Sequence, residues 1–297
     1  MHIKESRTDR LFGLIVNIIL ALCILSVAYP LYLVVINSFS DPSIVAQGKV
    51  MFYPVGFTLD AYKEVFKDSS IMTGYANSIL YTVLGTTINM LMTIPAAYAL
   101  SKKKLLGRNF VMKLLVFTMY FSGGLVPTYM VVRGLGLVNT RWAILIMGAV
   151  NTTNLIIART FFASSVPAEL EEAAEIDGCS QLQTFLQIVL PLSKAMISVI
   201  MLYYAVARWN NYTTALYYLP MSPDKFPLQM VLRQILVVIN SIASGGAGSI
   251  DQAIYYANLQ SLIKYAVIVV ASAPLLCVYP FIQKYFDKGV MLGSVKG

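Results

Sequence analysis

Two short stretches of this 297-residue sequence gather side chains that can do chemistry in an otherwise apolar chain. The first reads Pro167-Ala168-Glu169-Leu170-Glu171-Glu172-Ala173-Ala174-Glu175-Ile176-Asp177-Gly178, and runs on through Cys179 and Ser180 to Ile188-Val189-Leu190-Pro191. Its carboxylates offer partners to arginine or lysine, and its paired alanines let another surface come close. The second reads Arg208-Trp209-Asn210-Asn211-Tyr212-Thr213-Thr214. Its amides and phenol can bond hydroxyl groups of a polar ligand, its rings can stack on a ring face, and its guanidinium can pair with a carboxylate.

Other chemistry lacks the residues it needs. No phosphate-binding loop occurs, since Gly245-Gly246-Ala247-Gly248-Ser249 has neither the lysine nor the spacing. The single histidine is His2, and neither a zinc-protease motif nor a Gly-x-Ser-x-Gly elbow is present. Cys23, Cys179 and Cys277 are far apart and have no metal-ligand spacing. We therefore expect no catalytic residues, no metal site and no cofactor in this chain.

The elements that position the two stretches follow from composition. Hydrophobic residues make up 58% of the chain and charged residues 12%, half the usual charged share of about 25% in a soluble domain. Mean hydropathy is +0.69. Crossing a hydrocarbon core of about 30 Å takes roughly 20 helical residues. Six blocks are long enough, near 11–37, 75–100, 109–132, 142–163, 194–219 and 263–284. They lack the alternation of a lipid-facing barrel, and backbone groups in lipid must bond internally, so the blocks are expected to be helices. The expected fold class is thus an all-α integral membrane protein with six transmembrane helices. The apolar run after Lys4, Arg7 and Arg10 reaches Ile36, too long for a signal peptide, and reads as a retained first span.

Basic residues set the orientation. Lys102, Lys103, Lys104 and Arg108 follow the second block, and Lys284, Lys288 and Lys296 follow the sixth. Lysine and arginine favour the cytoplasmic side, so both termini are expected there, with 38–74, 133–141 and 220–262 outside. Residues 1–10 would be a cytoplasmic tail, and 11–297 a single transmembrane domain ending in a tail at 285–297. The net charge of +8 follows from this bias. The basic residues form no aromatic-interleaved patch, which speaks against nucleic acid.

The acidic stretch falls between the fourth and fifth blocks, in a cytoplasmic loop at about 165–191. Pro167 suits a first helical turn, and Glu169, Glu171 and Glu172 complement the helix dipole. Gly178 can stop the helix in a left-handed conformation. Ser180 and Gln183 have capping-box spacing for a second helix, which Pro191 ends or kinks. Leu170, Ala173, Ala174 and Asp177 share roughly one face. Helix chemistry alone leaves two readings open, a docking knob or a solvated interfacial helix.

Glu172-Ala173-Ala174, Gly178 after three residues, and Ile188 with Leu190-Pro191 after nine more resemble the EAA loop of ABC importer permeases of the MetI-like type. The C-terminal Gly293-Ser294-Val295-Lys296-Gly297 resembles the tail of the MalG-like sugar branch, as do Tyr53–Tyr62 and Trp209-Asn210. Phe286–Leu292 resembles the LplC-like permeases for oligosaccharides and polysaccharides.

The resemblance implies a permease subunit of a bacterial inner-membrane importer. Glu171, Glu172, Ala173, Ala174, Asp177 and Gly178 would be the coupling helix that docks on an ATPase subunit, and residues 293–297 would reach the ATPase interface. The implied partners are a second, non-identical permease, two ATPase subunits carrying ATP and Mg, an extracellular substrate-binding protein, lipid and the saccharide. Arg208, at membrane depth, must face protein or water. Two readings stay open for Arg208, Trp209, Asn210, Asn211 and Tyr212: they line the substrate pathway, or they are glue between helices. An ABC importer for peptides or amino acids, an ion-coupled secondary transporter and a membrane enzyme are the alternatives.

Overall fold

The computed structural model describes residues 7–67, 69–243, 262–274 and 276–277. Every regular element among them is helical. The chain divides into two compact units, one from Met1–Asp68 and Gln234–Ala273, the other from Ser69–Arg233 and Pro274–Gly297.

The first unit opens with α1 (Arg7–Ser38), which is apolar along Arg10–Ser38 and exposes nearly all its side chains. A helix that is hydrophobic all round and unburied within its own chain belongs in lipid or against another membrane protein. The chain beyond α1 is built by caps and aromatic contacts. Asp41 caps α2 (Pro42–Ala46), accepting from the Ser43 amide at 2.8 Å, with Pro42 in the first turn, where its missing N–H costs nothing. The Ser43 hydroxyl bonded to it holds the Asp41 carboxyl below its ordinary value. Phe39 stacks on Phe57 and Tyr62, and the Tyr62 hydroxyl meets Ser38 at 2.8 Å, so α3 (Asp60–Lys67) is tied to the end of α1.

The second unit is organised by α4 (Ser69–Ser101), an unbroken helix of 33 residues. Next come α5 (Arg108–Tyr120), α6 (Leu125–Gly134), α7 (Arg141–Ile146) and α8 (Thr152–Ser165). The surface segment holds α9 (Ala168–Ile176), α10 (Gln181–Thr184), a π turn at Phe185–Val189 and α11 (Leu190–Leu192). The chain then forms α12 (Lys194–Trp209), α13 (Thr213–Tyr218) and α14 (Leu228–Ala243), of which the residues from Gln234 on belong to the first unit. A last described helix, α15 (Leu262–Pro274), lies almost wholly within the first unit's range. Helix α4 packs between α8 and α12 around Ile94, Ala97, Leu155, Ala158, Phe162 and Ile200. Ala97 and Ala158 are fully buried, which lets the backbones of α4 and α8 approach closely.

Three expected spans are broken helices. The block at 109–132 is α5 and α6, bent by 117° across Phe121–Gly124, where Gly124 takes φ +83. The block at 142–163 is α7 and α8, separated by irregular backbone containing Gly148 at φ +71. The block at 194–219 is α12 and α13, and Asn211 caps α13 by accepting from the Thr214 amide at 3.1 Å. Among the described residues, two helices (α1 and α4) are individually long and apolar enough to cross a membrane. The number rises to four if each bent pair is one span. The expected sixth block is described only through 274 and 276–277.

Just before α12 the chain bends again, by 83°. Pro191 has no N–H and its ring crowds the preceding turn. The Leu190 amide reaches back to the Phe185 carbonyl, a π bond that absorbs the disturbance, and Ser193 ends the segment.

Candidate functional site

Local sequence builds the surface segment tightly. Helix α9 starts one residue after Pro167, with Glu169 and Glu171 in its first turn. At its end Gly178 has φ +80, the Gly178 amide donates to Glu175 at 3.1 Å and the Cys179 amide to Ala174 at 2.9 Å. These two bonds make a Schellman stop, which satisfies carbonyls that the helix end would leave orphaned. Ser180 and Gln183 then form a complete capping box, each side chain accepting from the other's amide at 2.9 and 3.3 Å. Stop and start are separated only by Cys179, so α9 and α10 are held at a defined angle.

The side chains of α9 divide into two sets. Ala174 is buried, and Glu171 turns inward. The Lys102 ammonium, at the end of α4, donates to Glu171 Oε1 and lies 4.0 Å from the Tyr98 ring centroid. The Tyr98 hydroxyl donates to the same carboxylate oxygen at 3.4 Å. The Tyr98 ring lies tilted against Phe185, with centroids 4.8 Å apart, and meets Phe162 edge-on. Glu169, Leu170, Glu172, Ala173, Glu175, Ile176, Asp177 and Gly178 are exposed, Ile176 at 86%. The outward face thus joins an apolar anchor to carboxylates, a combination suited to a cleft with basic walls.

The second stretch also separates into inner and outer residues. Arg208 and Trp209 are buried, whereas Asn210 and Tyr212 are exposed and Asn211 half-buried at the α12–α13 turn. The Tyr212 ring lies 5.7 Å from the Arg233 guanidinium carbon. Where a carboxylate partner was one expectation for Arg208, its guanidinium meets oxygens of its own chain. Nε donates to Asn89 Oδ1 at 2.9 Å, Nη2 to the Leu145 carbonyl at 3.0 Å, and Nη1 to the carbonyls of Ile144 and, at 3.1 Å, Met147. The Asn89 amide donates to the carbonyls of Gly148 at 2.7 Å and Ala149 at 2.8 Å. The Tyr204 hydroxyl accepts from the Asn151 amide at 3.0 Å and bonds the Thr93 hydroxyl at 2.7 Å.

Together these side chains serve the broken backbone between α7 and α8. Met147 and Ala149 amides take the carbonyls of Ala143 and Ile146. Arg208 and Asn89 take the other five from Ile144 to Ala149. Irregular backbone at membrane depth is stable only with such internal partners. Nothing local in the sequence marks Asn89, Thr93 or Gly85 as supports of this backbone, because the groups they serve lie far along the chain. A Cβ at Gly85 would lie 2.9 Å from Arg208 Nε, so the glycine is the notch through which the guanidinium passes. The expected ATPase-interface tail, residues 293–297, lies outside the described residues.

The model for a binding-protein-dependent transport system inner membrane component matches residues 69–292. Protein LplC of Bacillus subtilis is 44% identical over 268 residues, covering 90% of this chain and 89% of LplC. The polygalacturonan/rhamnogalacturonan transport system permease protein YtcP, also of B. subtilis, is 43% identical over 293 residues, covering 97% of this chain and 99% of YtcP. Among solved structures, a chain of a bacterial ABC transporter involved in the import of the acidic polysaccharide alginate superposes with a TM-score of 0.84. It is 35% identical, and the match covers 95% of this chain and 99% of that one.

Proposed function

This chain belongs to the binding-protein-dependent transport system inner membrane components, and on that premise we propose how it works as the membrane-spanning permease of an ABC importer for oligosaccharides or polysaccharides. It is a transport subunit and not an enzyme; ATP hydrolysis belongs to a separate partner. The observation that carries the mechanism is α9, a surface helix stopped by Gly178, backed by Glu171 on Lys102, and presenting Glu172, Ala173 and Ile176 outward.

In this reading α9 sits in a cleft of an ATPase subunit. Closure of the ATPase dimer around ATP and Mg pushes α9–α11, and the bend at Ser193 passes the push to α12. The push turns a cavity between this chain and a second, non-identical permease outward to receive saccharide from an extracellular binding protein. Hydrolysis resets it inward. Six spans with both termini in the cytoplasm of a bacterial inner membrane fit the basic residues after α4 and the basic C-terminal segment. Residues 293–297 reach the ATPase interface from that side.

In this reading the turn Asn210-Asn211-Tyr212 is the part of the second stretch that touches substrate, since Asn210 and Tyr212 are exposed. Arg233 beside Tyr212 pairs a cation with a stacking face, which favours a saccharide bearing carboxylates. The acidic cargo in the alginate importer's description points the same way.

The test is purification of the intact complex and uptake in proteoliposomes of labelled acidic and neutral oligosaccharides. Recovery without an ATPase subunit, or uptake of peptides in place of saccharides, would contradict the reading.

A further inference from the structure

We infer that Arg208 is a positioning residue of the transport cycle: it grips the end of α7 so that the α7–α8 break travels with α12, and it acts without touching substrate. This rests on the chain being the translocating permease.

The grip is complete. Arg208 takes the Ile144, Leu145 and Met147 carbonyls, and its Nε–H is spent on Asn89, which in turn takes Gly148 and Ala149. A cation at a helix C-terminus also complements the negative end of the dipole. The guanidinium is buried and has a protein acceptor on each of its three nitrogens, so a saccharide carboxylate could reach it only by breaking the clamp.

Position makes the grip mechanically useful. Helix α12 starts at the Ser193 bend, directly after the surface segment, and Arg208 stands in its last turn, about 22 Å along at 1.5 Å per residue. Tyr204, one turn earlier, holds the Asn151 amide at the start of α8. The irregular stretch is therefore pinned at both ends by α12 and in the middle by α4. Helix α7 also packs on α4 and α13, and α8 packs on α4 and α12; the irregular backbone between them is held by these side chains.

The experiment uses the whole complex, reconstituted with its binding protein, in a background where Cys23, Cys179 and Cys277 are serine. Thr153→Cys in the first turn of α8 is the accessibility probe for an impermeant thiol reagent, with and without ATP trapping. Three clamp variants are compared. Arg208→Lys keeps the charge but cannot fork to three carbonyls and Asn89. Gly85→Ala keeps Arg208 and fills its notch. Arg208→Met removes the clamp, and Gly85→Ala stands in for it if that protein fails to assemble.

The expected result in Arg208→Lys and Gly85→Ala is assembled complex and binding-protein-stimulated ATPase near wild type. Maximal uptake falls about tenfold, the effect of about 1.4 kcal/mol on a barrier, while KM stays unchanged. The ATP-dependent change in Thr153→Cys labelling is lost. Normal uptake per ATP in both variants overturns the inference. So does a loss of uptake that merely tracks the amount of assembled complex, or a rise in KM confined to acidic substrates. Failure of the wild-type complex to transport would instead overturn the permease reading itself.

Discussion

Glu171 on the surface helix accepts a hydrogen bond from Lys102 at the end of α4, with the Tyr98 hydroxyl on the same oxygen at 3.4 Å. Side-chain exposures of 30% for Lys102 and 23% for Glu171 make this a partly sheltered pair. It fastens α9 to the unbroken core helix of its unit, so force on α9 has something rigid to push against. Removing either partner should loosen α9 by about 1 kcal/mol, the upper end for an exposed ion pair. Lys102→Ala and Glu171→Gln are expected to lower transport per ATP by severalfold without loss of the complex. The exchange Lys102→Glu with Glu171→Lys should recover part of it, and a double-mutant cycle on uptake measures the coupling.

Gly178 sits at φ +80 with open space where a Cβ would go. Alanine there meets no neighbour, so its cost is purely conformational, about 1–2 kcal/mol for a left-handed residue. Gly178→Ala should fray the end of α9 and weaken co-purification of the ATPase. Gly178→Asn, which tolerates this conformation better, should do less harm. Pull-down of the ATPase subunit at graded salt ranks the three proteins.

The cap on α2 titrates in a known direction. Asp41 is held below its ordinary value by the Ser43 hydroxyl, so its folded carboxyl ionises more readily than the unfolded one. Its stabilising contribution is fully present above the unfolded value of about 3.9 and is lost as pH falls through the lower, folded value. Limited proteolysis of the 38–67 segment should therefore be flat from neutral pH down to mildly acidic and rise only in strong acid. Ser43→Ala should move the rise to higher pH.

Arg233, 5.7 Å from the Tyr212 ring, is the cation proposed to choose acidic cargo. Arg233→Ala should raise the KM for a uronate-containing oligosaccharide about tenfold, equivalent to about 1.4 kcal/mol, and leave a neutral one of equal length unaffected. Competition uptake with the two sugars reads the difference directly.

Much of this molecule was legible where the cause is local. The Gly178 stop and the Ser180–Gln183 box depend on residues within one turn of each other, and both are present as read. The inward turn of Glu171 was not legible, because its partner Lys102 lies 69 positions away. The same holds for Arg208, whose intramembrane charge announced that it must be satisfied but not by what. Hydropathy located apolar blocks yet passed over the breaks at Gly124, Gly148 and Asn210–Tyr212. It records side-chain transfer, whereas a break is decided by whether the freed carbonyls find donors. At Gly148 those donors, Asn89 and Arg208, come from other helices.

As proposed, this chain is the pathway and the lever of a saccharide importer whose motor lies in another subunit. The most direct measurement is uptake of labelled oligosaccharide into proteoliposomes holding the purified permease pair, with and without the ATPase subunits. Uptake is expected only when ATPase, ATP and binding protein are all supplied, and it should be lost when Ile176 on α9 is changed to Asp. Uptake by the permeases alone under an ion gradient would contradict it.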